Sequence, residues 1–109
     1  MDESDRDAIR SVIQQQLEAF QNNDAVAAFA LAAPEIQSKF ETPENFLSMV
    51  RQFYQAVYRP RSVLFEDLTD LEASPAQPVL LLDQGGQVVK VVYVMQKQPD
   101  GCWRIAGCL

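Results

Sequence analysis

At Pro60 the hydrophobic residues of this chain change their period, and that change constrains the fold more than any other feature. Before it, apolar residues recur every three to four positions. Ile9, Val12, Ile13, Leu17 and Phe20 form one stripe, and Phe46, Leu47, Val50, Phe53, Tyr54 and Val57 form another. After it come short runs rich in β-branched residues, the longest being 88–97. Proline also enforces the boundary, because its ring disfavours the helical conformation at Arg59. A chain that makes helices first and strands afterwards buries one sheet face under its own helices, so the expected class is α+β.

Three helices are expected. Ser4 caps the first, with Asp5 and Asp7 near the positive end of its dipole, and Asn22-Asn23 breaks it. Asp24 caps a second, alanine-rich helix that runs to residue 32 and is ended by Pro34. A short helical turn over 35–40 follows. Thr42-Pro43-Glu44 then starts the third helix, which stops by about residue 58. Strands are expected over 62–68 (running on toward residue 72), 79–82, 88–97 and 102–108, with 74–78 as a loop. Asp83-Gln84-Gly85-Gly86 and Pro99-Asp100-Gly101 are turns, and Gly101 suits a left-handed bulge position.

The last hairpin also has a register. If Gln98 faces Cys102, then Lys97 pairs with Trp103, Met95 with Ile105 and Tyr93 with Gly107. One face then carries Val89, Val91, Tyr93, Met95, Trp103 and Ile105, and must meet the helices. The other mixes Val88, Val92, Val94 and Ala106 with Lys90, Gln96 and Arg104, which suits an interface better than open water. A homodimer through this outer face is therefore expected.

Size and charge exclude whole classes. With 109 residues there is room for a single domain, 1–109, and a hydrophobic share of 48% against 22% charged residues is that of a globular chain. A net charge of −6 opposes a phosphate backbone, so nucleic acid is not an expected partner. No apolar run approaches the roughly 18 residues that span a membrane, and the acidic first seven residues are no signal peptide, so the expected compartment is the cytoplasm unless a leader has been removed. Cys102 and Cys108, on one strand, would lie on the same face about 20 Å apart at ~3.3 Å per residue, too far for a disulfide. They read as free thiols.

The sequence contains no histidine. Histidine dyads, Ser-His-Asp triads and Cys-His pairs are excluded, and two cysteines alone make a poor zinc site. Acid–base chemistry would have to use Tyr54, Tyr58 or Tyr93 beside a buried carboxylate, and no carboxylate falls on the predicted inner face. The plainer account is that these tyrosines are core rings. Arg59 and Arg61 could hold a carboxylate or phosphate as a fork, or simply pair with Glu66, Asp67 or a helix C-terminal carbonyl, which is the more common use. The cluster Asp2, Glu3, Asp5 and Asp7 reads as a solvated helix start rather than a metal site. Gly85-Gly86 is a turn without the lysine of a phosphate loop, and Cys102, placed on the outer face, reads as an inert thiol. Neither a cofactor nor a metal is expected.

Several segments together carry a resemblance: Ala28-Phe29-Ala30; Phe40 with Thr42-Pro43-Glu44 and Phe46; Met49-Val50-Arg51; Val57-Tyr58-Arg59-Pro60-Arg61-Ser62-Val63; and Trp103-Arg104-Ile105-Ala106-Gly107-Cys108. From about Ile9 onward the chain resembles the bacterial family called domain of unknown function 4864, Tyr-Arg-Pro-Arg being the most specific piece. The resemblance implies a nuclear transport factor 2-like (SnoaL-like, cystatin-like) cone, three helices packed on a curved four-stranded antiparallel sheet, and no catalytic residues. A ligand pocket in such a cone would be lined by Phe53, Tyr54, Val57, Tyr58, Tyr93 and Trp103, with Arg59 or Arg61 at its rim. The leading expectation is a non-catalytic domain binding a small apolar or acidic ligand. The alternatives are an interaction or dimerisation module without ligand, and an isomerase- or dehydratase-like enzyme using tyrosine and a carboxylate.

Overall fold

The computed structural model describes residues 2–109; Met1, where the expected domain and its acidic start begin, lies outside them. Five helices precede five strands among these residues, so the α+β class holds, with two more helices and one more strand than expected. The helices are α1 (Glu3–Gln21), α2 (Ala25–Ala30), α3 (Pro34–Phe40), α4 (Pro43–Phe53) and α5 (Gln55–Tyr58). Asp2, not Ser4, caps α1, accepting from the Asp5 N–H at 2.9 Å. Asp24 and Thr42 cap α2 and α4 as expected. Pro34 does more than end a helix: it occupies the first position of α3, where its missing N–H has no cost. The expected third helix is interrupted at Tyr54, whose backbone (φ −133°, ψ 56°) leaves the helical region and divides α4 from α5. No helix is long and apolar enough to cross a membrane among the described residues.

The strands β1 (Ser62–Phe65), β2 (Thr69–Leu71), β3 (Ser74–Leu82), β4 (Val88–Lys97) and β5 (Trp103–Cys108) form one antiparallel sheet in the order β1-β3-β4-β5, with β2 also on β3. Residues 74–78, expected as a loop, are strand. Proline is disfavoured in a central strand, yet Pro75 and Pro78 both stand at positions compatible with one. In an antiparallel strand the N–H and C=O of a residue point to the same side. The Pro78 carbonyl accepts from Glu66 N–H at 3.0 Å, so its missing N–H faces the break between β1 and β2. Gln77 fills that break, donating to the Glu66 and Pro78 carbonyls at 2.6 and 2.8 Å. Pro75 lies one step past Ala76, where the ladder with β4 ends. The β2–β3 hairpin turns on Glu72 and Ala73, both at positive φ (49° and 68°), a primed turn made without glycine or asparagine.

The hairpin of β4 and β5 keeps the expected pairs Lys97–Trp103 and Met95–Ile105. Beyond them a bulge between Val94 and Met95 adds one residue to β5, so Val94 faces Gly107 and Tyr93 faces Cys108. Cys108 therefore moves to the inner face, away from the side assigned to it, while Cys102 is exposed outside the strand; both thiols are free. The inner residues Val91, Tyr93, Met95, Trp103 and Ile105 are buried together with Ile9, Ile13, Leu17 and Phe20 of α1. Backbone bonds from Ala33 N–H to Ile105 O (2.8 Å) and from Ile105 N–H to Leu31 O (2.9 Å) tie the α2–α3 connection to the outer edge of β5.

Candidate functional site

A cleft of about 560 Å³ opens between α3, α4 and the C-terminal half of β5. Its floor is Tyr93, Ile105 and Cys108; Phe46, Met49 and Val50 form one wall, Ile36 and Phe40 the other. Phe46 anchors the aromatic part, with ring centroids 6.0 Å from Phe20, 5.6 Å from Phe29 and 5.7 Å from Phe40. Gln16 of α1 closes the back, its Nε2 bonded to the Ala28 carbonyl at 3.1 Å. At the mouth stand Phe53, 71% exposed, and Lys39, whose ammonium lies 5.5 Å from the Phe40 ring centre. Although the chain carries −6, no acidic side chain lines the cleft among the described residues.

Besides Gln16 and Lys39, two hydroxyls and a thiol supply its polar chemistry. Tyr54 donates to the Cys108 carbonyl at 3.3 Å, a contact made where α4 gives way to α5. Tyr93 is buried, and its hydroxyl has no hydrogen-bond partner among the described residues. Burial, with a lesser contribution from Cys108, pushes the Tyr93 phenol well above its ordinary 10.0, and burial pushes the Cys108 thiol from 9.0 up to about 12. Both groups are neutral donors at pH 7. No described carboxylate bonds to a tyrosine hydroxyl: Tyr58 donates to Asn23 Oδ1. A tyrosine–carboxylate pair is thus not assembled. No group of three His, Cys, Asp or Glu side chains with metal-binding geometry occurs among the described residues.

Of the residues expected to line a pocket, Phe53, Tyr54, Val57 and Tyr93 meet in the cleft. The others do not. Trp103 is buried farther along the hairpin, beneath Lys97. Arg59 bonds the Phe20 carbonyl (3.3 Å), the Gln21 carbonyl and the Tyr58 hydroxyl, closing the C-terminus of α1, which has no basic residue in its own last turn. Tyr58 is packed against two guanidiniums, Arg59 at 4.5 Å and Arg51 at 5.7 Å, in a separate depression shared with Asp83. Arg61 is exposed beside Gly86. The positive charge at the cleft mouth is Lys39, which sequence reasoning missed. Gln16 could have been found, since it falls on the stripe Ile9, Ile13, Phe20 as its only polar member. Cys108 could not, because only the bulge turns it inward.

The model of the family described as Domain of unknown function (DUF4864) matches residues 2–109. No curated protein matches the chain.

Proposed function

The chain belongs to the family of the domain of unknown function DUF4864, and from the geometry of its cleft we propose that it is a non-catalytic domain binding a small, largely apolar molecule. The carrying observation is an open cleft with apolar walls and, among the described residues, no carboxylate bonded to a tyrosine hydroxyl. The enzyme that uses tyrosine and a carboxylate needs that carboxylate, and a filled cone would have favoured the interaction module. Supporting this, the bulky residues Trp103 and Met95 are buried away from the lining, so they leave the cleft unfilled. The nuclear transport factor 2-like cone is the architecture we infer for this arrangement of helices over one sheet face, and the shared hydrophobic cluster supports reading 1–109 as one domain.

A thermal-shift screen of small apolar metabolites and carboxylates tests the reading, since binding to the native state raises Tm by mass action. Hits should be lost in Met49→Trp, which fills the mouth from a half-buried position. Hits that keep their affinity in that variant, or a screen without hits, would remove the proposal.

A second observation supports self-association. On the outer sheet face Leu64 and Val88 are 61% and 67% exposed, beside the half-buried Leu80, Val92 and Val94. We propose that a second copy covers this face. Sedimentation at high micromolar concentration should show a dimer that Val94→Glu dissociates; a wild-type monomer there would exclude it.

A further inference from the structure

The ligand's chemical class follows from one atom, granted the reading of the cleft as a binding site. Tyr93 lies 1% exposed in the cleft floor, and its hydroxyl is without a partner among the described residues. A buried donor left unmade is costly, so a native site that keeps one invites an acceptor from outside the chain. The neighbouring groups do not supply it. Gln77, opposite Tyr93 on β3, holds its amide nitrogen on the Glu66 and Pro78 carbonyls, and its Oε1, itself buried, makes no bond to the Tyr93 hydroxyl. The Cys108 carbonyl, opposite on β5, already accepts from Tyr54.

We propose that the cleft selects molecules with an apolar body and an uncharged carbonyl group (a ketone, ester or amide) whose oxygen accepts from the Tyr93 hydroxyl. A carboxylate fits less well. The lining's cation, Lys39, stands exposed at the mouth, and an anion carried to the floor would lose its hydration without gaining a counter-charge. The same burial raises the Tyr93 phenol and the Cys108 thiol, which marks the floor as hostile to negative charge. An ammonium fits less well too, since no acidic side chain lines the cleft among the described residues. The walls recognise area, and the unpartnered Tyr93 hydroxyl recognises the carbonyl.

Three matched probes test this by titration: 2-acetonaphthalene, 2-ethylnaphthalene and 2-naphthoate. The ketone should bind about three- to tenfold more tightly than the hydrocarbon, the worth of one hydrogen bond. Tyr93→Phe should abolish that preference and leave the hydrocarbon's Kd unchanged. Naphthoate should bind weakest at pH 7 and tighten as the pH falls and the acid becomes neutral. On the wild-type protein, the carbonyl stretch of bound acetonaphthalene should fall below its value in hexane, a readout that needs no variant to fold. If ketone and hydrocarbon bind equally, if the preference survives Tyr93→Phe, if naphthoate binds best, or if the stretch does not move, the carbonyl assignment is overturned while the cleft remains a binding site. If none of the three binds, the binding reading falls and this inference with it.

Discussion

The two ends of the β4–β5 hairpin are built from the same pair of strands and are put to opposite uses. Toward the tip, Met95 and Trp103 are buried, and Lys97 reaches from beside the Trp103 ring to Asp5 of α1 at 4.0 Å. Toward the base, Tyr93, Ile105 and Cys108 face an open cleft, with Gln16 and Phe20 of the same helix at its back. So α1 runs along the hairpin, its first turns at the closed end and its last at the hollow one. Between the two lies the bulge at Val94/Met95, which brings Cys108 round to the inner face. The comparison teaches that apolar content alone does not distinguish core from site. What differs between the two ends is whether the apolar side chains close on α1 or leave a hollow with the unpartnered Tyr93 hydroxyl in its floor.

The comparison breaks most visibly in the largest substitutions. Trp103→Ala, at the closed end, should cost about 3–5 kcal/mol in urea denaturation. Phe53→Ala, at the rim and 71% exposed, should stay within about 0.5 kcal/mol. Similar losses at the two positions would mean that the cleft is an extension of the core. Next in size is Gln77→Leu, which removes the bond to the Glu66 carbonyl in the β1–β2 break and the bond to the Pro78 carbonyl of its own strand. A loss of about 1–3 kcal/mol is expected, with hydrogen exchange accelerating first at the Glu66 amide, whose acceptor is the Pro78 carbonyl. No change in either would show that the break closes without the side chain.

The break also shows what the sequence made legible. Helical stripes and caps declared α1, α2 and α4 because their period runs over many residues. Strand β3 was obscured at its start by Pro75 and Pro78, whose tolerance depends on where β1 and β2 stop, a tertiary fact. The Glu72-Ala73 turn carries no turn-forming residue. Within the site, Phe53, Tyr54, Val57 and Tyr93 were legible because aromatic and branched residues on facing periodic stripes must meet. Trp103 and Arg59 were misplaced for different reasons. Trp103 shares the inner face but not the end of the sheet, and Arg59 is drawn to the unpaired carbonyls that end α1.

The hollow end has a pH signature that the closed end lacks. The Cys108 thiol is raised by burial from 9.0 to about 12 in the folded chain. Above pH 9 the unfolded chain releases this proton and the folded chain keeps it, so stability is intact below pH 9 and falls as the pH rises toward 12. From pH 7 to pH 10 that amounts to about 1–2 kcal/mol, and the loss should be shallower by that amount in Cys108→Ala. Wild type and variant with parallel profiles would mean that the thiol is hydrated in the cleft.

The smallest expected effect separates the two tyrosines of the cleft. Tyr54 gives its hydroxyl to the Cys108 carbonyl at 3.3 Å, so Tyr54→Phe should cost about 0.5–1.5 kcal/mol. Tyr93 gives its hydroxyl to nothing among the described residues, so Tyr93→Phe removes a desolvated donor without removing a bond. Its stability should be unchanged or higher by up to about 1 kcal/mol. The two variants differ from wild type by one oxygen each, which makes the sign of the difference more informative than its size. A loss above ~1 kcal/mol in Tyr93→Phe would mean that the hydroxyl is satisfied, most simply by a buried water shared with Gln77 Oε1, itself unpartnered and buried. The floor of the cleft would then be ordinary core, and the distinction between the two ends of the hairpin would rest on volume alone.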